Sequence, residues 1–284
     1  MRIDAALAGG VERLRSASDS PRLDAEILLA RALDVSKSYL VAHPDDVLDD
    51  AAVERYFAAL ARREAGMPMA YITGKREFWS LRLMVGPEVL VPRPETELLV
   101  EVALRHIPRH SALRILDLGT GSGAIALAIA GERPNCQITA TDVSGAALAI
   151  ARENARQLGL ANLTFLQGDW TQPVAGSTFD LIVSNPPYVR ADDPALAALK
   201  YEPSLALTSG GDGLNSIRVL ARDCGALLAP DGRLMLEHGI DQKDDVARLL
   251  QQYGWSDIEC FNDLTGRPRV TGASHLPDQN QHLY

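Results

Sequence analysis

Between about residues 3 and 73 the apolar positions recur three and four apart, as in Leu23, Ile27 and Leu28 with Ala30 and Ala32, and again in Val53, Tyr56, Phe57 and Leu60. That spacing lines one face of a helix and predicts a small helical domain. Ser20-Pro21 reads as an N-cap followed by a first-turn proline, and Asp49-Asp50 puts negative charge where another helix begins. The pattern then changes. Phe78, Trp79, Leu81, Leu83 and Val85, followed by Val89, Leu90 and Val91, flank Gly86-Pro87-Glu88, which predicts a β-hairpin turning at those three residues. Beyond Pro94, short apolar runs at 113–116, 137–141, 163–166, 181–183 and 234–236 alternate with helical stretches. Strands buried on both faces of a mostly parallel sheet have this texture, so the fold class is α/β and doubly wound. The resulting division is a helical domain over 1–75, a hairpin linker over 76–92 and an α/β domain over 93–284. Residues 276–284 are polar enough to suggest a loose tail.

With 46% hydrophobic and 23% charged residues, the 284-residue chain has the composition of a stably folded globular protein of two domains. Its net charge of -9 disfavours long-range attraction to nucleic acid, and no Lys/Arg run appears. Cys136, Cys224 and Cys260 are far apart and include no CxxC pair, so neither a zinc site nor a redox disulfide is expected. No apolar stretch approaches a membrane span. Asp4 and Gly9-Gly10 stand where a secretion signal would need a basic head and apolar run, so a cytoplasmic location is expected.

Chemistry enters with Arg114-Ile115-Leu116-Asp117-Leu118-Gly119-Thr120-Gly121-Ser122-Gly123, a strand running into a glycine loop ahead of a helical stretch from Ala124. Glycines there let the backbone turn sharply and approach a ligand at the carboxyl edge of the sheet. The spacing is GxGxG rather than the GxGxxG of dinucleotide sites. Asp142 ends the next strand, where its carboxylate can accept both hydroxyl protons of a ribose, although capping a helix is the competing role. Asp169 offers an acceptor for an adenine amino group and Trp170 an aromatic surface beside the ring; Trp170 as plain core is the alternative. Together these residues indicate adenosine more firmly than they indicate a reaction.

Phe179-Asp180-Leu181-Ile182-Val183-Ser184 is a strand that stops at Asn185-Pro186-Pro187-Tyr188. Pro187 fixes its own φ and biases Pro186 toward an extended backbone, which stiffens the turn. An amino group on an sp2 carbon is a poor nucleophile, because its lone pair is delocalised. It must be held by its hydrogens. The Asn185 side-chain oxygen and the Pro186 carbonyl are two acceptors for two such N–H groups, and Tyr188 can stack on their plane. Asn185, Pro186 and Tyr188 are thus the candidate catalytic residues, with Pro187 completing the substrate turn. Positioning of this kind serves in-line methyl transfer from S-adenosyl-L-methionine, but does not choose among glutamine amides, adenine N6 and guanine N2.

Nearly the whole chain resembles the release factor glutamine methyltransferases, the PrmC/HemK family. The likeness rests on Ala70-Tyr71-Ile72-Thr73-Gly74, Glu77-Phe78, Val91-Pro92-Arg93-Pro94-Glu95-Thr96-Glu97, the glycine loop, the Asn-Pro-Pro-Tyr turn, Glu202-Pro203 and Gly211-Asp212-Gly213-Leu214. It implies a seven-stranded sheet with one antiparallel strand, fitting segments 256–261 and 269–272. It further implies that Gly119, Thr120, Gly121, Ser122, Gly123, Asp142, Trp170 and Asn185 bind S-adenosyl-L-methionine. The substrate it implies is the glutamine of the Gly-Gly-Gln motif in class I peptide chain release factors, gripped with help from the helical domain. Val189, where isoleucine is common, and Gly266-Arg267-Pro268-Arg269 depart mildly from the pattern. Pro94 with its neighbouring acids is also good capping chemistry, so 93–97 stand between site and helix start, and His238 reads as structural. A monomer is expected, without membrane or stable nucleic-acid binding. The rival readings are a ribosomal-protein glutamine methyltransferase, a nucleic-acid amino methyltransferase and a non-enzymatic S-adenosylmethionine-binding scaffold.

Overall fold

The computed structural model describes residues 1–275; the polar segment 276–284 lies outside the described residues. The chain divides into two compact units, Met1–Lys75 and a second beginning at Arg76. The first holds five helices, α1 (Ile3–Leu14), α2 (Pro21–Leu33), α3 (Lys37–Ala42), α4 (Asp50–Glu64) and α5 (Met69–Thr73). Their inward faces bury Ile3, Leu14, Leu28, Leu29, Tyr56 and Leu60 almost completely. Asp49 caps α4 by accepting the Ala52 N–H at 2.6 Å. Ser20 does occupy the N-cap of α2 ahead of Pro21, but its side chain makes no cap bond. Ser18 instead reaches Asp24, which also pairs with Arg63 at 2.7 Å.

The hairpin sits earlier than its sequence suggests. Its strands are β1 (Lys75–Phe78) and β2 (Leu81–Met84), and the turn is Trp79-Ser80, not Gly86-Pro87-Glu88. Both turn residues have positive φ, 50° and 58°, the backbone of a two-residue hairpin turn that matches strand twist. Residues 89–91 form no strand. From Arg76 on the hairpin is part of the second unit, and hydrogen bonds hold it there. The Trp79 N–H donates to Glu97 at 2.8 Å, and the Met84 N–H donates to the buried Asn154, whose amide also bonds the Met84 and Ser122 carbonyls.

The second unit is built on a seven-stranded sheet. Its further elements are α6 (Glu97–His106), β3 (Arg114–Leu118), α7 (Ala124–Glu132), β4 (Gln137–Asp142), α8 (Gly145–Leu158), β5 (Leu163–Gln167), β6 (Phe179–Ser184), α9 (Asn215–Asp223), β7 (Leu228–Glu237), α10 (Lys243–Gln252), β8 (Trp255–Asn262) and β9 (Pro268–His275). The strand order is β5-β4-β3-β6-β7-β9-β8, and β9 alone runs antiparallel to its neighbours. Helix α7 is apolar all round and buried from Ala124 through Ala130, as expected of a helix enclosed on every side. From β3 the chain winds outward to β4 and β5, then returns to place β6 on the other flank of β3. That reversal leaves a crevice at the carboxyl ends of β3 and β6, where open α/β sheets bind ligands. Strand register aligns the ends: Leu118 pairs with both Thr141 and Ser184, and Ser184 with Leu236.

Candidate functional site

A cavity of about 270 Å³ opens at this crevice. Its wall includes Gly119, Thr120, Gly121, Ser122, Asp142, Asp169, Trp170, Asn185 and Pro187, together with Thr96 and Arg93. Gly123, Pro186 and Tyr188 do not line it. The residues proposed from four separate stretches of sequence therefore meet in one place, with three of them set back.

The loop after β3 keeps its form through a few fixed bonds. Gly119, Gly121 and Gly123 have φ of 73°, 56° and 86°, where L side chains are strained. The Gly119 and Thr120 N–H groups both donate to the Thr141 carbonyl at 2.9 Å, joining the ends of β3 and β4. Asp142 accepts the Gly121 N–H at 2.8 Å on one carboxylate oxygen and the Ser144 N–H at 2.9 Å on the other. Each oxygen retains a lone pair, so Asp142 shapes the loop and still has acceptor capacity for a diol. Capping of α8 falls to Ser144, which accepts the Ala147 N–H at 3.1 Å. The carboxylate is left to the cavity.

Below the loop, Asp117 is fully buried. The Thr120 hydroxyl donates to one of its oxygens at 2.6 Å, and the other has no hydrogen-bond partner among the described residues. Burial raises this carboxyl to about 7, against the pull of the Thr120 bond. Trp170 is held at φ 45°, a region costly for a bulky side chain and frequent at ligand sites. Its ring would lie 3.5 Å from a Cβ placed on Gly119, so it packs along the loop. Asp169 beside it is exposed. A pocket with a strained aromatic wall, a glycine loop and an acceptor carboxylate fits an adenosine group.

On the other flank, β6 ends because Pro186 and Pro187 have no N–H to continue the ladder. The Asn185 side-chain nitrogen donates to the Thr96 hydroxyl at 3.1 Å, so its oxygen is the atom left for a ligand. Tyr188 donates its hydroxyl to the fully buried Glu237 at the end of β7, at 3.2 Å, while Gln242 donates to the Tyr188 carbonyl at 3.0 Å. Burial raises the Tyr188 phenol well above its ordinary value and lifts Glu237 to about 7, the latter opposed by the Thr96 and Tyr188 hydroxyls. Thr96, in the segment left open between site and helix start, lines the cavity; Glu237, which does not, is the partner of Tyr188 that sequence reasoning passed over. Arg93 pairs with the buried Glu202 at 2.5 Å, and the Val91 N–H donates to the same carboxylate at 3.1 Å. Segment 93–97 thus both starts a helix and contributes a wall. His238 is buried between the Gly239 carbonyl and Thr271, a structural role.

Comparison with known proteins places this geometry. Residues 5–74 match the PrmC N-terminal domain and residues 109–256 a methyltransferase domain. The release factor glutamine methyltransferase of Xylella fastidiosa (strain Temecula1) is 48% identical over 269 residues, covering 94% of this chain and 96% of that protein. The chain belongs to the release factor glutamine methyltransferases. The Coxiella burnetii member is 46% identical, covering 92% of this chain and 95% of its own length. A solved methyltransferase from Pyrococcus furiosus, 22% identical with a TM-score of 0.51, covers 69% of this chain and 90% of that one, and shares the fold. As a methyltransferase of this family the chain is an enzyme whose methyl donor is S-adenosyl-L-methionine. No helix among the described residues is long and apolar enough to cross a membrane.

Proposed function

We propose that this family member methylates the side-chain amide nitrogen of the glutamine in the Gly-Gly-Gln motif of class I peptide chain release factors. The observation that carries the reading is the orientation of Asn185. Its nitrogen is committed to Thr96, which leaves an acceptor oxygen on the cavity wall at the end of β6. That oxygen and the Pro186 carbonyl would take the two hydrogens of a planar NH2 group, turning the nitrogen toward the cofactor side of the crevice. Tyr188 would pack against the amide plane. S-adenosyl-L-methionine, when bound, supplies an electrophilic methyl group on a sulfonium. With the donor held there, the amide nitrogen would form the new N–C bond as the S–C bond broke, and one of its protons would leave to solvent. Aligning such a pair is worth up to about 7–11 kcal/mol without any strong base.

Gly119, Thr120, Gly121, Ser122, Gly123, Asp142, Asp169, Trp170 and Asn185 are the residues we assign to the cofactor, and Asn185, Pro186, Pro187 and Tyr188 those assigned to the glutamine. Residues 1–75 would serve substrate recognition, 76–92 as linker and 93–284 the transfer. A monomer in the cytoplasm, binding no nucleic acid stably, completes the reading. The test supplies radiolabelled S-adenosyl-L-methionine with release factor, ribosomal protein, RNA and DNA in parallel. Label is expected on release factor glutamine; label on nucleic acid alone would overturn the assignment.

A further inference from the structure

Gly211-Asp212-Gly213-Leu214 carries part of the family likeness, yet none of these four residues lines the cavity. The segment lies instead against the exit of the Asn-Pro-Pro-Tyr turn. The chain leaving that turn is paired with the stretch leading into the segment. The Val189 N–H donates to the Leu207 carbonyl at 2.9 Å, the Val189 carbonyl accepts the Ser209 N–H at 2.9 Å, and the Ala191 N–H donates to the Gly210 carbonyl at 2.9 Å. Further on, the chain bends at Gly213, whose φ is 77°. A Cβ built on Gly213 would run into the Tyr188 carbonyl oxygen and stand 2.8 Å from the Gln242 side-chain nitrogen. Glycine is thus required there twice over, by backbone conformation and by space.

Gln242 completes the enclosure. Its side-chain oxygen accepts the Gly239 N–H at 2.8 Å, in the loop after β7, and its nitrogen donates to the Tyr188 carbonyl at 3.0 Å. The Tyr188 carbonyl is therefore fixed by a donor and by a backbone that leaves it no room to move. Pro186 and Pro187 each have a locked φ, so few torsions remain within the turn to absorb a shift at its exit. Such a shift passes back to the Pro186 carbonyl and to Asn185, the two acceptors for the substrate amide. Resting on the reading of Asn185 to Tyr188 as the turn that holds the substrate glutamine, we propose that Gly213 and Gln242 are positioning residues for methyl transfer. They touch neither substrate nor cofactor; they brace the turn from its exit and so set where the amide nitrogen stands.

Gly213→Ala adds one methyl group against the Tyr188 carbonyl. Gln242→Glu keeps an acceptor for the Gly239 N–H and replaces the donor to Tyr188 with an oxygen. A glutamine needed only to hold the loop after β7 would tolerate that change. Each variant is assayed alone and combined, with labelled S-adenosyl-L-methionine and a class I release factor, beside Asn185→Ala. Misplacement by about 1 Å can cost roughly 10²-fold in rate. Each single variant should accordingly lower kcat at least about tenfold at saturating substrates, with cofactor affinity by calorimetry within about threefold of the parent. The double variant should lose less than the product of the single losses, because both act on one carbonyl. Parental kcat in either variant, a loss of cofactor affinity equal to the loss of kcat, or losses that multiply in the double variant would overturn the proposal. If Gly213→Ala lacks a cooperative thermal transition, Gln242→Glu decides alone. Parental turnover in Asn185→Ala would sink the reading of the turn itself, whereas an inactive Asn185→Ala with fully active Gly213→Ala and Gln242→Glu would sink only the brace.

Discussion

Asp117→Asn should change how stability depends on pH more than it changes stability at any one pH. The Asp117 carboxyl is fully buried under the glycine loop, with one oxygen held by Thr120 and the other without a hydrogen-bond partner among the described residues. Its pKa is raised from 3.8 to about 7, chiefly by burial. A folded-state pKa above the unfolded one means the native protein holds this proton more tightly. The stabilisation is fully present below about pH 4 and is lost as pH rises toward 7. Each pKa unit corresponds to about 1.4 kcal/mol, so roughly 3 kcal/mol disappears between pH 5 and pH 7. An asparagine cannot ionise. Whatever constant offset its amide introduces, the stability gap between variant and parent should move in the variant's favour by about that amount over the interval and level off above pH 7. Other titrating groups occur in both proteins and cancel in the difference. Thermal melts at pH 5, 6, 7 and 8 without ligand would register it as a relative Tm shift of roughly 6–10 °C for a unit of this size. Parallel melting curves, with a gap independent of pH, would refute the assignment of a neutral buried acid at this position.

Three further outcomes follow from the site and the helical unit. Asn185→Ala should lower turnover roughly 10²-fold or more while cofactor affinity changes far less, as single-turnover kinetics and calorimetry would show. Asp142→Ala should weaken S-adenosyl-L-methionine binding by roughly 10- to 100-fold, the worth of hydrogen bonds to a charged acceptor, with a smaller loss of kcat at saturating cofactor; unchanged calorimetric affinity would remove Asp142 from the site. In the helical unit, a Cβ on Gly10 would stand 2.0 Å from the buried Tyr56 hydroxyl, which itself donates to the Ala6 carbonyl. Gly10→Ala should therefore cost about 1–3 kcal/mol in urea unfolding, and Tyr56→Phe in that background should recover part of it; strict additivity would argue against the clash.

The legible parts of this protein were those whose chemistry is local in sequence. The glycine loop announces itself within five residues, and Asn185-Pro186-Pro187-Tyr188 within four. The alternation of short apolar runs with helical stretches sufficed for a doubly wound sheet, because strands buried on both faces carry no competing pattern. What escaped was set by tertiary partners. The hairpin turn fell to Trp79-Ser80, two non-glycine residues at positive φ, while Gly86-Pro87-Glu88 had the better turn composition. Gly86-Pro87-Glu88 does turn, the Val89 N–H donating to the Gly86 carbonyl at 3.2 Å, but it joins no strands: β2 ends at Met84, whose backbone is bound on both sides by Asn154, and residues 85–91 form no strand. Thr96 lay within a segment left open between site and helix start, because nothing in a linear pattern connects it to a partner 89 residues away. Glu237 did leave a trace. It closes the apolar run Leu234-Met235-Leu236, a place where an acid is rare and, when buried, is a candidate for function.

Strand register explains why the chemistry divides as it does. Across the sheet, the ends of β4, β3, β6 and β7 present Asp142, the glycine loop, Asn185 and Glu237 in that spatial order, because Leu118 pairs with Thr141 on one side and Ser184 on the other, and Ser184 with Leu236. Apart from Asn185, the residues assigned to the cofactor stand to one side of the switch point between β3 and β6, and those assigned to the glutamine to the other. Only the crevice between them is common ground. Substitutions should then separate by flank: changes at the ends of β3 and β4 should appear first in cofactor affinity, and changes at the ends of β6 and β7 in turnover at saturating cofactor. Asp142→Ala and Asn185→Ala are opposite probes of that division. If both variants lost affinity and turnover in equal measure, the two flanks would act as one unit, and separate roles for the two halves of the crevice could not be maintained.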